Sequence, residues 1–140
     1  MEKINQIILK NKKDEINHFN AILEEFGEKH EIPFRSNTEI CLAVEEILMN
    51  IISYSHQDIA EYEIEVKWWL EDEFFFMEFT DDGIEFDPLK LPKPDLESSL
   101  EDRKIGGLGI YFVRKLMQDV KYRRENDKNI LEKGQDLISI

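Results

Sequence analysis

Apolar residues recur along the chain with two different periods, and the change from one to the other orders the elements. The run from Ile4 to Leu9 predicts a short first strand. From Asp14 to His30, the residues Ile16, Phe19, Ile22, Leu23 and Phe26 repeat at helical spacing and predict an amphipathic helix. Pro33 ends the linker that follows. Ser36 with Glu39 three residues on is a capping-box arrangement, predicting a second helix that runs to about His56. From Glu61 the period becomes two: Tyr62, Ile64, Val66, Trp68 and Leu70 alternate with Glu61, Glu63, Glu65 and Lys67. That pattern predicts a strand with one wet face and one buried face. Glu71 to Glu73 predicts a tight turn. The return strand, Phe74 to Thr80, places Phe75, Met77 and Phe79 on one face, and the same parity points Asp81 inward.

The segment from Pro88 to Lys104 is rich in proline and charge and reads as a long loop, of a length usually functional or mobile. After Gly106-Gly107-Leu108-Gly109 the spacing of Ile110, Val113, Leu116 and Met117 predicts a third helix. A strand near Val120 to Arg124, a turn at Asn126 to Asn129 and a last strand or tail complete the chain.

Composition bounds what such a chain can do. It has 140 residues, with nine Phe, four Tyr and two Trp, enough to close the core of one domain spanning residues 1–140. The net charge of −13 disfavours a general nucleic-acid binder. No apolar run approaches the roughly 18 residues a membrane span needs. Cys41 is the only cysteine, which excludes an internal disulfide and a thiolate zinc cluster; a small core residue in a reducing cytoplasm is expected. The N-terminal apolar stretch is too short for a signal peptide and soon meets Lys12, Lys13 and Asp14. His18, His30 and His56 lack zinc-ligand spacing and read as surface or cap residues. Trp68 and Trp69 read as core and strand-edge packing, not as a stacking platform for bases.

Candidate chemistry concentrates at three places. Glu46 and Asn50 are four residues apart on the second predicted helix, so they project about 40° apart beside the stripe Ile40, Val44, Ile47 and Ile51. A carboxylate can accept a proton, and an amide oxygen can coordinate a hard cation such as Mg²⁺; two polar residues on a helix surface give the same pattern. Asp81-Asp82-Gly83 follows a strand that points Asp81 inward. A buried acid needs a donor, which an adenine amino group supplies, and Gly83 lets the backbone approach a flat ring; Asp-Gly is equally a hairpin signal. Gly106-Gly107-Leu108-Gly109 directly precedes a predicted helix start, where backbone N–H groups bind phosphate oxygens. It has neither the Walker A ending nor the dinucleotide-binding spacing, and a glycine-eased helix start reads the same way. Residues 103 to 128 carry eight basic residues against three acidic ones, a local surplus in an acidic chain that favours an anion or an acidic partner. Arg103 and Lys104 stand just before the glycines, within reach of a terminal phosphate if the loop folds over it.

In their order, Glu46-Ile-Leu-Met-Asn50, Asp81-Asp-Gly-Ile-Glu-Phe-Asp-Pro88 and Gly106-Gly-Leu-Gly-Ile110 resemble the asparagine box and the two glycine boxes of the histidine-kinase-like ATPases. That superfamily also holds DNA gyrase B and the sensor histidine kinases. Within it, the small size and the stretch from Glu101 to Met117 are most similar to bacterial anti-sigma factor serine/threonine kinases. The resemblance implies the Bergerat fold, an α+β two-layer sandwich whose mixed, mostly antiparallel sheet carries helices on one face. It implies ATP or ADP with Mg²⁺ as the ligand, Glu46 as general base and Asn50 as metal ligand. Asp81 and Gly83 become the adenine contacts, Gly106, Gly107, Leu108 and Gly109 the phosphate-binding turn, and Arg103 a lid residue. It further implies transfer of the γ-phosphate to a serine or threonine of an antagonist protein, control of a sigma factor, and a homodimer. Two departures stand out. Glu85 replaces a glycine common in relatives, and Asn129-Ile-Leu-Glu-Lys133 lacks the threonine that often supports an adenine-linked water, which implies weaker nucleotide binding. A nucleotide-dependent module that sequesters a regulator without phosphoryl transfer is the alternative, and a fragment of a larger ATPase a third reading, disfavoured by the chain's own Met1.

Overall fold

The computed structural model describes residues 3–55, 61–85, 87 and 119–137. These residues form β1 (Asn5–Lys10), α1 (Lys13–Lys29), α2 (Phe34–Asn50) continued by a π-helical turn over Ile51–Ser55, β2 (Glu63–Glu71), β3 (Phe74–Asp81), β4 (Asp119–Glu125) and β5 (Lys128–Asp136). The sheet order is β1-β2-β3-β5-β4, and every neighbouring pair is antiparallel. The expected α+β fold with a mostly antiparallel sheet is present, and the described strands are all antiparallel. The expected loop from Pro88 to Lys104, the phosphate-binding turn at Gly106, Gly107, Leu108 and Gly109, the third helix, Arg103 and His56 all lie outside the described residues.

The two sequence periods meet in one core. Ile64, Val66 and Trp68 of β2, with Phe75, Met77 and Phe79 of β3, cover the sheet's inner face, against Ile16, Phe19 and Leu23 of α1 and Ile40, Val44 and Ile47 of α2. The alternation in β2 and β3 thus buries alternate residues beneath the two helices, as a half-buried antiparallel sheet requires. Trp68 takes Phe19 and Phe26 edge-on, at ring separations of 5.2 and 6.3 Å. Trp69 points the other way and stacks on Phe76, 5.6 Å away on the outer face. The helices approach closely at Gly27, where an added Cβ would stand 2.6 Å from Asn37 Oδ1.

Several local expectations are corrected. Helix α2 starts at Phe34 with Pro33 at the N-cap, no side chain caps it, and the Ser36–Glu39 box does not form. Proline's fixed φ, here −54°, starts the helix ahead of the serine, which ends up buried inside it. Glu39 instead accepts a hydrogen bond of 3.1 Å from Gln135 Nε2 of β5. The α-helical hydrogen-bond pattern stops at Asn50 and widens into the π turn, which carries the helix to Ser55, beside the expected end at about His56. The turn expected over Asn126 to Asn129 is only Asn126 and Asp127, both left-handed with φ of 52° and 61°, which matches a tight hairpin and leaves Asn129 inside β5. Cys41 is half-buried on the flank of α2, not a core residue; burial, with Glu24 nearby, pushes its thiol up to about 11. His18 and His30 are exposed, as expected. No helix among the described residues is long and apolar enough to cross a membrane.

The inner face of β5 carries a feature that alternation does not announce: Lys133, 1% exposed, sits opposite Met77 of β3 and Val120 of β4. Burial pushes its ammonium down to about 7. Because the folded value lies below the unfolded one, the unfolded chain binds more protons between about pH 7 and 10.5, and folding gains stability as pH rises through that window. We predict that chemical denaturation shows wild-type stability rising relative to Lys133→Met across this window, by up to about 1.4 kcal/mol per pH unit. Parallel pH dependences for the two proteins would contradict the assignment.

Candidate functional site

The candidate residues of α2 lie at the edge of its buried face. Glu46 is half-buried, and Asn50, one turn later, is 2% exposed. The Asn50 amide nitrogen donates to the Glu46 main-chain oxygen at 2.7 Å and to Glu46 Oε1 at 3.0 Å. Helical spacing thus brings the pair together, as the sequence predicts. The amide nitrogen of Asn50 is thus committed to Glu46. Desolvation raises the Glu46 carboxyl above its ordinary value; the bond from Asn50 opposes that shift and nearby Glu45 adds to it.

Asp81 ends β3 on the inner face, 3% exposed. Its Oδ1 accepts the Gly83 main-chain N–H at 2.9 Å and the Asn129 amide at 3.1 Å. Asn129 is a residue that motif reasoning passes over. It faces Asp81 across the β3–β5 ladder, and its amide also reaches the Ile84 carbonyl at 2.7 Å, which fixes the chain after Asp82. The Asn129 amide oxygen accepts from Tyr122 Oη and, at 3.1 Å, from Arg124 Nη1. Arg124 also donates to the Gly83 carbonyl at 2.7 Å. The turn around Gly83 is therefore clamped from β4 and β5. No short-range pattern gives this, because the partners are more than 40 residues apart.

One contact relates the two pairs. The Tyr62 hydroxyl donates to the Ile51 carbonyl at the end of α2, at 3.3 Å. Tyr62 is itself fixed from both sides: its carbonyl accepts from the Asn11 N–H at 3.2 Å, and its N–H donates to Asn11 Oδ1 at 3.2 Å. In the β2–β3 ladder Glu65 stands opposite Thr80, so Tyr62 lies just beyond the end of β3 that carries Asp81. The C-terminal end of α2, with Glu46 and Asn50, is thereby held at the same end of the sheet as Asp81 and Gly83.

The basic stretch reads differently in the folded chain. Among its described members, Arg123 pairs with Glu125 at 3.0 Å and with Glu132, and Arg124 holds the Gly83 turn. Both serve the sheet's own packing. Arg103, Lys104, Arg114 and Lys115 lie outside the described residues. Among the described residues, no group of three or more His, Cys, Asp or Glu is placed to hold a metal.

We predict that Asn129→Ala lowers stability by about 1–3 kcal/mol in denaturant unfolding, because it strips a donor from a buried carboxylate. A loss below about 0.5 kcal/mol would show that the clamp on Asp81 does not depend on this amide.

The family model described as histidine kinase-like ATPase domain matches residues 9–132, from the end of β1 into β5. No curated protein matches the chain.

Proposed function

Because the chain belongs to the histidine kinase-like ATPase domain family, we propose that it binds ATP with Mg²⁺ between the end of the sheet that carries Asp81 and the end of α2 that carries Asn50, and that it acts there as a serine/threonine protein kinase. In this reading it phosphorylates an antagonist protein and thereby controls a sigma factor, as a homodimer in the cytoplasm. The observation that carries the nucleotide part is the Tyr62 bridge, which holds a buried carboxylate and a carboxylate–amide pair at one end of the fold.

The roles follow from the chemistry of each group. Adenine offers an exocyclic amine, and the oriented Asp81 carboxylate accepts from it while Gly83 leaves room for the ring. The Asn50 oxygen suits a hard divalent cation, which prefers oxygen ligands and takes the rest from phosphates and water; bound there, Mg²⁺ neutralises charge on the phosphates. Glu46 accepts the proton of the attacking hydroxyl, and its raised carboxyl value suits it to that task. As the hydroxyl oxygen bonds to the γ-phosphorus, the bridging P–O bond breaks and ADP leaves. By resemblance, Gly106, Gly107, Leu108 and Gly109 cradle the phosphates and Arg103 closes over them.

The test is incubation with Mg-ATP and candidate antagonist proteins, alongside calorimetric titration with ADP and Mg²⁺. Asp81→Asn should weaken ADP binding at least tenfold, since the amide presents a donor where adenine also donates. Glu46→Gln should keep ADP binding within about threefold yet slow phosphoserine formation by about 10²-fold or more. Wild-type transfer should fall as pH drops through the raised Glu46 value, where the base becomes protonated. Transfer at the wild-type rate in Glu46→Gln would remove Glu46 as base. Nucleotide binding without transfer to any antagonist would replace the kinase by a sequestering module.

A further inference from the structure

The outer side of the helical layer carries a groove that the nucleotide reading does not use. It lies between the C-terminal part of α1 and the N-terminal part of α2, with a volume of about 400 Å³. Its apolar lining comes from Ile32, Phe34, Cys41 and Leu42. Phe34 is 88% exposed and Leu42 57% exposed, so two large side chains stand in water on one flank of α2. They are eight residues apart, about 12 Å along the helix and about 80° around it, so they border the groove at two separate points. Scattered apolar residues on a surface need no explanation; two that border one groove do.

The rim is of one sign. Glu24 and Glu28 of α1 and Glu45 of α2 line the groove, and no Lys or Arg does among the described residues. The whole chain is also acidic, at −13. Such a trough repels acidic segments and attracts a helix with Lys or Arg flanking an apolar stripe. Gly27 and Asn37 meet at the groove's floor, so the two helices cannot separate to widen it without losing that close approach. The groove is a different face of α2 from Glu46, because Glu45 and Glu46 point about 100° apart.

We propose that this groove docks a basic amphipathic helix of a partner protein, with apolar side chains of the partner against Phe34 and Leu42 and its cations against Glu24, Glu28 and Glu45. The docking site is separate from the nucleotide site and does not depend on it.

The probe is a fluorescently labelled peptide of about 18 residues, five helical turns, built of Leu, Lys and Arg with Leu at i, i+4 and i+7 spacing. A control peptide carries Glu in place of every Lys and Arg. Binding is read by anisotropy for wild type, Phe34→Ser and Leu42→Gln, changes that leave the net charge untouched and remove exposed side chains. The basic peptide should bind wild type, weaken as salt rises, and lose at least tenfold in affinity with either variant, while ADP titration is the same for all three proteins. Equal binding to wild type and both variants, equal binding of the acidic peptide, or no binding to wild type would each overturn the proposal. So would sedimentation showing a wild-type dimer that Leu42→Gln dissociates, since the occupant would then be a second copy of this chain.

Discussion

The organisation of the fold turns on a carboxylate that has been taken out of water. Asp81 ends β3 inside the molecule, and a carboxyl group there is tolerable only if hydrogen-bond partners replace its hydration. Those partners come from two directions, the Gly83 N–H two residues on and the Asn129 amide of the neighbouring strand. Satisfying Asp81 therefore fixes more than one side chain. Asn129 must be held in the orientation that donates, which Tyr122 and Arg124 do by donating to its oxygen. Arg124 is then placed to hold the Gly83 carbonyl. Strands β3, β4 and β5 and the chain around Gly83 are tied together through one acid. A group recognising a planar amine at Asp81 would meet a surface already organised, with little ordering left to do on binding.

A second tie gives that acid its neighbours. Helix α2 ends in a π turn, and the Tyr62 hydroxyl on the Ile51 carbonyl anchors the helix end to the start of β2. Turns of this wider type are common at functional positions, since they redirect a helix without breaking it. Tyr62 does two things at once. Its ring belongs to the core, and its hydroxyl meets a carbonyl at a helix end, where main-chain acceptors lack intrahelical partners. The tie fixes the end of α2 that carries Glu46 and Asn50 to the chain entering β2, beyond the end of β3 that carries Asp81.

How much of this was legible in the sequence depended on the range of the interaction. The inward direction of Asp81 follows from strand parity through Phe75, Met77 and Phe79, and the Glu46–Asn50 pair from helical spacing; both need only local geometry. The start of α2 was misread because Ser36 and Glu39 have the right spacing for a box while Pro33, three residues earlier, has the stronger backbone constraint. Asn129 and Lys133 are invisible to alternation because β5 puts Asn129, Lys133 and Gln135 on its inner face beside Leu131, which erases the apolar pattern that marks an inward face; Arg124 of β4 takes its role from partners more than 40 residues away or across a hairpin. The charge of a stretch was likewise a poor guide to its use: Arg123 and Arg124 sit in a basic run yet bond within the sheet.

Helix α2 gathers these constraints into one rigid element. One face, Ile40, Val44 and Ile47, is buried against the sheet. A second carries Glu46 and Asn50. A third, with Phe34 and Leu42, stands in solvent. At about 100° per residue a single helix can present three unlike surfaces only if each occupies a narrow stripe, and the sequence keeps them narrow. Because the buried stripe locks the helix against the sheet and Gly27 locks it against α1, α2 cannot rotate to favour one outward face at the expense of the other.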